Sequence, residues 1–159
     1  MKTKILSVNA LAKEAEVFRA KGKRLVLTNG CFDLLHVGHV RYLQTARALG
    51  DALAVALNSD ASVRALKGAG RPINPESDRA EVLATLECVD YVAIFSEMRA
   101  TQFLRTVQPA IYAKGGDYKL ETLDREERAA LEKIGAEIKI LPLQPGYSTS
   151  RLIARLQKQ

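Results

Sequence analysis

The only histidines of the 159-residue chain, His36 and His39, close the run NGCFDLLHVGH over residues 29–39. At the start of a helix, a three-residue separation puts two imidazoles on one face. The unpaired backbone N–H groups and the positive dipole end of that helix draw anions to the same spot. Gly38, between them, lets a phosphate approach the backbone closely. On residue chemistry alone, the run reads as a phosphate site with two side-chain donors added. Two other readings stay open at this point: a partial zinc site, with Cys31 and Asp33 as the nearby ligand types, or two histidines that serve packing only.

A second cluster lies near the end of the chain, in GYSTSR over residues 146–151. Ser148 taken singly is an ordinary N-cap. The row Ser148, Thr149 and Ser150 exceeds what capping needs, and with the Arg151 guanidinium it could grip phosphate oxygens at another helix start. Lys67, Arg71 and Lys114 are read in loops that follow strands, although each alone is most simply a solvated surface charge. Asp33, Asn58, Asp60 and Asp117 also follow strands and suit substrate hydroxyls or a hydrated magnesium ion. Neither G-x-G-x-x-G in the first strand-to-helix turn nor G-x-x-x-x-G-K-[ST] occurs, which disfavours dinucleotide and P-loop chemistry.

These residues need elements to hold them. Leu11, Ala15 and Phe18 recur at helical spacing with Asn9 as N-cap, predicting an opening helix over 10–20. A buried-strand run at 24–28 leads into Asn29 and Gly30. Val40, Leu43, Ala46 and Leu49 then resume helical spacing as far as Gly50, and a strand follows at 52–57. That unit is βαβ, with parallel strands and a right-handed crossover. Helices at 78–88, 99–107, 123–134 and 148–157 alternate with strands at 91–95, 110–113 and 137–141. The fold class expected is α/β, a doubly wound parallel five-stranded sheet of Rossmann-like type, which binds ligands at the carboxyl ends of its strands. Segments 67–77 and 114–122 are read as its ligand-edge loops.

Composition bounds the answer. With 47% hydrophobic and 26% charged residues, the chain fits one compact domain over 1–159 and excludes disorder as its main state. Its 24 basic against 18 acidic residues leave a charge of +6, which suits nucleic acid or a small polyanion. Scattered basic residues, 6% aromatics and no Trp favour the small anion over nucleic acid. No apolar run approaches the ~20 residues of a membrane span, and the first residues turn charged too soon for a signal peptide, so a cytoplasmic address without membrane association is expected. Cys31 and Cys88 are read as reduced thiols.

In order along the chain, NGCFDLLHVGH, LNSDASVRALKG, RPINPESDRAEVL, KGGDY and YSTSR resemble the nucleotidyltransferase superfamily with its H-x-G-H and S-T-S/T signatures. The resemblance spans residues 24–156. Within the superfamily it is most similar to the adenylyltransferase domains that make ADP-heptose from ATP and heptose 1-phosphate for bacterial lipopolysaccharide. Glycerol-3-phosphate cytidylyltransferases, which use CTP, are the alternative, and a phosphate- or nucleic-acid-binding module without turnover is the non-enzyme alternative.

The resemblance implies direct attack of the sugar phosphate on the α-phosphorus, with pyrophosphate expelled and magnesium carried by the triphosphate rather than by a protein metal site. It assigns His36, His39 and Lys67 to catalysis. Nucleotide contacts are expected from Asn29, Gly30, Cys31, Phe32, Gly38, Lys114, Gly115, Ser148, Thr149, Ser150 and Arg151. Sugar-phosphate contacts are expected from Asp33, Asn58, Asp60, Arg71 and Asp117. A homodimer and a functional pairing with a sugar kinase are the partners it suggests, the chain being a stand-alone enzyme or an excised domain of a kinase fusion. One departure is the charged stretch KLETLDREERAALEKIGAEI after KGGDY, which reads as a solvated helix where the heptose enzymes usually carry a short valine-rich stretch with a Gly.

Overall fold

The computed structural model describes residues 3–116, 119–142 and 144–158. Five strands form one parallel sheet: β1 Leu25–Gly30, β2 Ala52–Asn58, β3 Tyr91–Phe95, β4 Ile111–Gly115 and β5 Glu137–Leu141. Their spatial order is β3-β2-β1-β4-β5, so the chain runs outward from β1 in one direction and then returns to build the other. The reversal falls between β1 and β4, the place where such sheets open a ligand crevice. The doubly wound parallel sheet expected from the sequence is the fold observed.

Alternation along the strands sorts their side chains onto two faces. Leu25 and Leu27 of β1 join a core with Leu11 and Ala15 of α1 (Val8–Ala20), with Phe103, Leu104 and Val107 of α5 (Thr101–Val107), and with Leu131 of α6 (Arg125–Ile134). Val26 of β1 points the other way. There it joins Leu43 and Ala46 of α2 (Val37–Arg47) and Ala80 and Leu83 of α4 (Glu76–Thr85). Every residue of β2 is buried, as a strand covered on both faces must be.

Backbone pairing is uneven. Strands β1 and β2 pair from Leu25↔Ala52 to Gly30↔Leu57, and β4 and β5 pair from Ile111↔Glu137 to Gly115↔Leu141. Between β1 and β4 the ladder holds only Val26↔Ile111 and Leu27↔Tyr112, and then the strands part. Side chains bridge the gap instead. The Tyr42 hydroxyl lies 2.8 Å from Thr28 Oγ1 and donates to the Ala113 carbonyl at 3.1 Å, while the Tyr112 hydroxyl donates to Asn29 Oδ1 at 2.6 Å. Buried polar groups that lose a ladder partner need such replacements.

Several expectations need adjusting. The first helix starts earlier, at Val8, because Ser7 and not Asn9 caps it, accepting from the Ala10 N–H. After β2 the chain forms an unexpected helix, α3 (Asp60–Lys67), capped by Ser59. Lys67 therefore ends a helix instead of lying in a loop, and Lys114 lies within β4. The second helix stops at Arg47, short of Gly50. The closing helix, α7 (Thr149–Leu156), begins just after its cap, Ser148. Strands β3 and β5 have the bounds expected.

The connection from α3 to α4 is latched down by charge. Asp33, 4% exposed, accepts from Arg71 Nε at 2.8 Å and from the backbone N–H groups of Ile73 and Asn74. Arg79, 2% exposed, donates to the carbonyls of Cys31 and Asn74 and to Asp60 Oδ1 at 2.8 Å. One buried guanidinium thus joins α4 to the turn after β1, to the loop before α4 and to the first residue of α3. Replacing Arg79 by Met removes the donor of two part-buried carbonyls and the partner of Asp60, and should cost about 3 kcal/mol in urea denaturation. A loss below about 1 kcal/mol would mean that the latch contributes little.

Candidate active site

A crevice of about 730 Å³ opens over the carboxyl ends of β1 and β4. His36 is the N-cap of α2, with extended backbone (φ −140°, ψ 170°), and His39 sits in the first turn. Their rings stack with centroids 3.9 Å apart and planes 28° apart. The His36 backbone N–H donates to His39 Nδ1 at 3.3 Å. With Nδ1 accepting, the proton of a neutral His39 is placed on Nε2, which is left able to donate to a ligand. Both rings line the crevice.

Burial lowers the pKa of both histidines, and that of His39, pressed further by the adjoining His36, falls to about 4. The pair is therefore neutral near pH 7 and presents two uncharged imidazoles to the crevice. Gly38 has a packing role at this point: a Cβ there would come 2.9 Å from His36 Nδ1 and 2.9 Å from Tyr147 Cβ. The missing side chain lets Tyr147 stack on His36, with centroids 6.1 Å apart. Through that stack the N-terminus of α7 is brought to the N-terminus of α2.

At α7, Ser148 Oγ accepts from the Arg151 N–H at 3.1 Å, as a simple cap does, and Thr149 Oγ1 donates to the Leu34 carbonyl at 3.2 Å. Ser148, Thr149 and Ser150 all line the crevice, whereas Arg151 is exposed and lies outside its lining. Asn29 and Gly30 at the end of β1, with Cys31 and Phe32 just after it, form the floor, and Lys114 and Gly115 the wall at the end of β4. Gly115 is required sterically, since a Cβ would meet the Tyr42 ring at 2.8 Å. Burial pushes the Cys31 thiol up, which keeps it protonated. Asn58 and Lys67 enter from the β2 and α3 side.

The residues expected on the sugar side divide. Asn58 reaches the crevice, but Asp33, Asp60 and Arg71 are outside its lining and are bound to one another's neighbourhood by the latch. Burial alone would raise the Asp33 pKa, yet the Asn74 and Ile73 N–H groups and Arg71 outweigh it and hold the carboxyl low. Asp33 thereby anchors a loop, and this corrects its reading as a hydroxyl or zinc ligand. Asp117 lies outside the described residues. Among the described residues no three His, Cys, Asp or Glu side chains group to hold a metal ion.

Sequence reasoning passed over several lining residues, among them Tyr147, Leu66, Met98, Arg99, Asp124 and Glu127. Tyr147 stood inside a motif and was legible by position. Arg99 pairs with Asp124, joining the loops after β3 and β4, and Glu127 is 4% exposed. Nothing in a charged stretch of sequence distinguishes these residues from solvated neighbours.

Residues 27–155 match the cytidylyltransferase-like family, and the chain belongs to it. The H-x-G-H and S-T-S segments, brought together at one crevice of a doubly wound sheet, define it as a nucleotidyltransferase-type domain. It is 49% identical over 154 residues to the bifunctional protein HldE of Geotalea uraniireducens and 46% identical over 153 residues to that of Geobacter metallireducens. Those matches cover 97% and 96% of this chain, which spans only 31% of the length of each relative. Its fold is similar to the crystal structure of the lipopolysaccharide core biosynthesis protein from Thermoplasma volcanium, with TM-score 0.64 and 30% identity over 77% of this chain and 98% of that one. Among the described residues no helix is long and apolar enough to cross a membrane.

The depressed His39 pKa carries a sign. A histidine that titrates at about 4 in the folded protein contributes stability above its unfolded value and loses it as the pH falls toward 4. An NMR titration of the ligand-free protein should place His39 near that value, and unfolding should become easier below about pH 6.5. A His39 that titrates at its ordinary value would remove burial as the controlling effect.

Proposed function

We propose that the chain is an adenylyltransferase that joins ATP and a heptose 1-phosphate to give ADP-heptose and pyrophosphate. The observation that carries the reading is the meeting of two helix N-termini, His36 of α2 and Ser148 of α7, over the carboxyl ends of β1 and β4. Members of this family use a nucleoside triphosphate with magnesium. The metal enters as part of the substrate, MgATP.

In the proposed reaction an oxygen of the sugar phosphate attacks the α-phosphorus, forming the new P–O–P bridge. The bond from the α-phosphorus to the oxygen bridging it to the β-phosphorus breaks, and that oxygen leaves with its electron pair as part of magnesium pyrophosphate. No proton transfer and no covalent enzyme intermediate are needed. Catalysis then rests on positioning and on donors aimed at the charge that develops on the phosphoryl oxygens. His39, with its proton on Nε2, and His36 supply such donors. The Ser148–Ser150 turn and the α7 N-terminus hold the β- and γ-phosphates, and Lys67 offsets negative charge from the α3 side.

The heptose assignment is supported by the run from Leu57 to Leu83, which folds into α3, the latched loop and α4 beside the crevice. It is supported also by the relatives, which are bifunctional HldE proteins. A sugar kinase that supplies the heptose 1-phosphate is the functional partner this reading needs, and the cytoplasm, where ATP is made available, is its place. The reading takes residues 1–159 as one domain with its motif-bearing core over 24–156, and a homodimer as its proposed assembly.

Pyrophosphate release should be greatest with ATP and a heptose 1-phosphate in a panel of four nucleoside triphosphates against heptose, glycerol and other sugar phosphates. Comparable efficiency with CTP, or preference for glycerol 3-phosphate, transfers the chain to the cytidylyltransferase alternative. Replacing His39 by Ala should lower turnover about 100-fold with little change in ATP affinity. Replacing Ser148 and Thr149 together by Ala should weaken ATP more than AMP, and equal effects on both nucleotides would reduce the pair to caps.

A further inference from the structure

The charged stretch over residues 119–138 reads in sequence as a solvated helix, yet it carries one of the most deeply buried carboxylates of the described chain. Glu127, in the first turn of α6, is 4% exposed. Its Oε1 accepts from the Ala100 N–H at 2.9 Å, at the start of α5. Its Oε2 lies 3.9 Å from Lys114 Nζ on β4, and both residues line the crevice. The reaction proposed above makes no use of this carboxylate.

Lys114 explains why a carboxylate would be kept there. Its side chain is 15% exposed, and its Nζ lies 3.4 Å from Asn29 Oδ1 and 3.4 Å from the Tyr112 hydroxyl, in the gap where β1 and β4 part. An ammonium group brought into a protein interior requires compensation by an opposite charge. Burial pulls the Lys114 pKa down and Glu127 pushes it back up. The Ala100 N–H fixes the far oxygen of Glu127, so the carboxylate stays in place if the ammonium turns toward a ligand. At 3.9 Å the pair is close enough for strong attraction but too long for a hydrogen bond that would tie the ammonium down.

We infer that Glu127 is a positioning residue that acts through Lys114, holding its ammonium group at the crevice wall, where it meets the phosphates of the nucleotide. The inference rests on the nucleotide-binding reading of the crevice and does not depend on which sugar is used. The competing account is structural: Glu127 does no more than satisfy the Ala100 N–H. Glutamine separates the two, because its amide oxygen can still accept from Ala100 while the charge is gone.

The test is calorimetric titration of the full chain with MgATP and, separately, with magnesium pyrophosphate. Glu127→Gln should weaken both about tenfold, a coupling of about 1.4 kcal/mol. Lys114→Met should weaken them at least as much, and the double variant should bind no worse than Lys114→Met alone, because Glu127 then has nothing to act through. Unchanged affinity in Glu127→Gln, tighter binding as from removal of a repelling charge, or losses that multiply in the double variant would each overturn the inference. If Glu127→Gln does not fold, a folded double variant that matches Lys114→Met supports the inference, and one that binds more weakly than Lys114→Met overturns it. A chain that shows this coupling but forms no nucleotide sugar refutes the proposed reaction and leaves the role of Glu127 standing. A chain with no affinity for either ligand refutes both.

Discussion

Most of what positions the site follows from the early parting of β1 and β4. A parallel sheet gains stability from an unbroken ladder, and these two central strands keep only two paired positions, Val26↔Ile111 and Leu27↔Tyr112. Beyond them each strand remains paired on its outer side, so neither can move to close the gap. The gap has to be filled by polar side chains that satisfy one another, since an unpartnered buried donor or acceptor costs about 1–3 kcal/mol. Thr28, Tyr42, Asn29 and Tyr112 do this. Burial pushes the Tyr42 phenol up to about 12, so it stays a neutral donor at any physiological pH.

On this floor the electrostatics come from elements more than from free charges. Two helix N-termini face the crevice, and the two imidazoles at one of them are neutral because burial opposes the protonation of both and His36 further opposes that of His39. A neutral stack held by Tyr147 and Phe32 is preorganised. It can donate hydrogen bonds to a phosphate without first having to release a counter-ion. Of the basic residues that line the crevice, Lys67 and Lys114 come from the end of a helix and the end of a strand, elements whose backbones are fixed before any ligand arrives.

Charge of the opposite sign is used for architecture. Asp33 and Asp60 stand beside the crevice in sequence but spend their oxygens on Arg71, Arg79 and backbone N–H groups, and the loop over residues 68–75 is held against the turn after β1 as a result. Glu127 likewise binds a backbone N–H. Asp33 and Asp60 are thereby held outside the lining of the crevice.

How much of this was legible in the residues alone varies with the range of the interaction responsible. Hydrophobic period and turn residues are local, and they marked β3 and β5 to the residue, the parallel α/β class, and the placement of His36, Gly38 and His39 at a helix start. Motif order carried the family. Helix α3 was missed although Ser59 supplied a local cap, and the first helix was given the wrong cap, because several polar residues near a helix start compete for one role. Only the folded chain could assign the carboxylates. Whether Asp33 faces a ligand or a loop, and whether Glu127 faces water or a lysine, depends on partners up to 41 positions away in sequence for the first and on another strand for the second. A sequence specifies that a charge exists and where on its element it sits, whereas the partner that neutralises it is set by packing between elements. That is why the two helix starts at the crevice could be read from residue order, and the counter-charges that frame them were decided by tertiary structure.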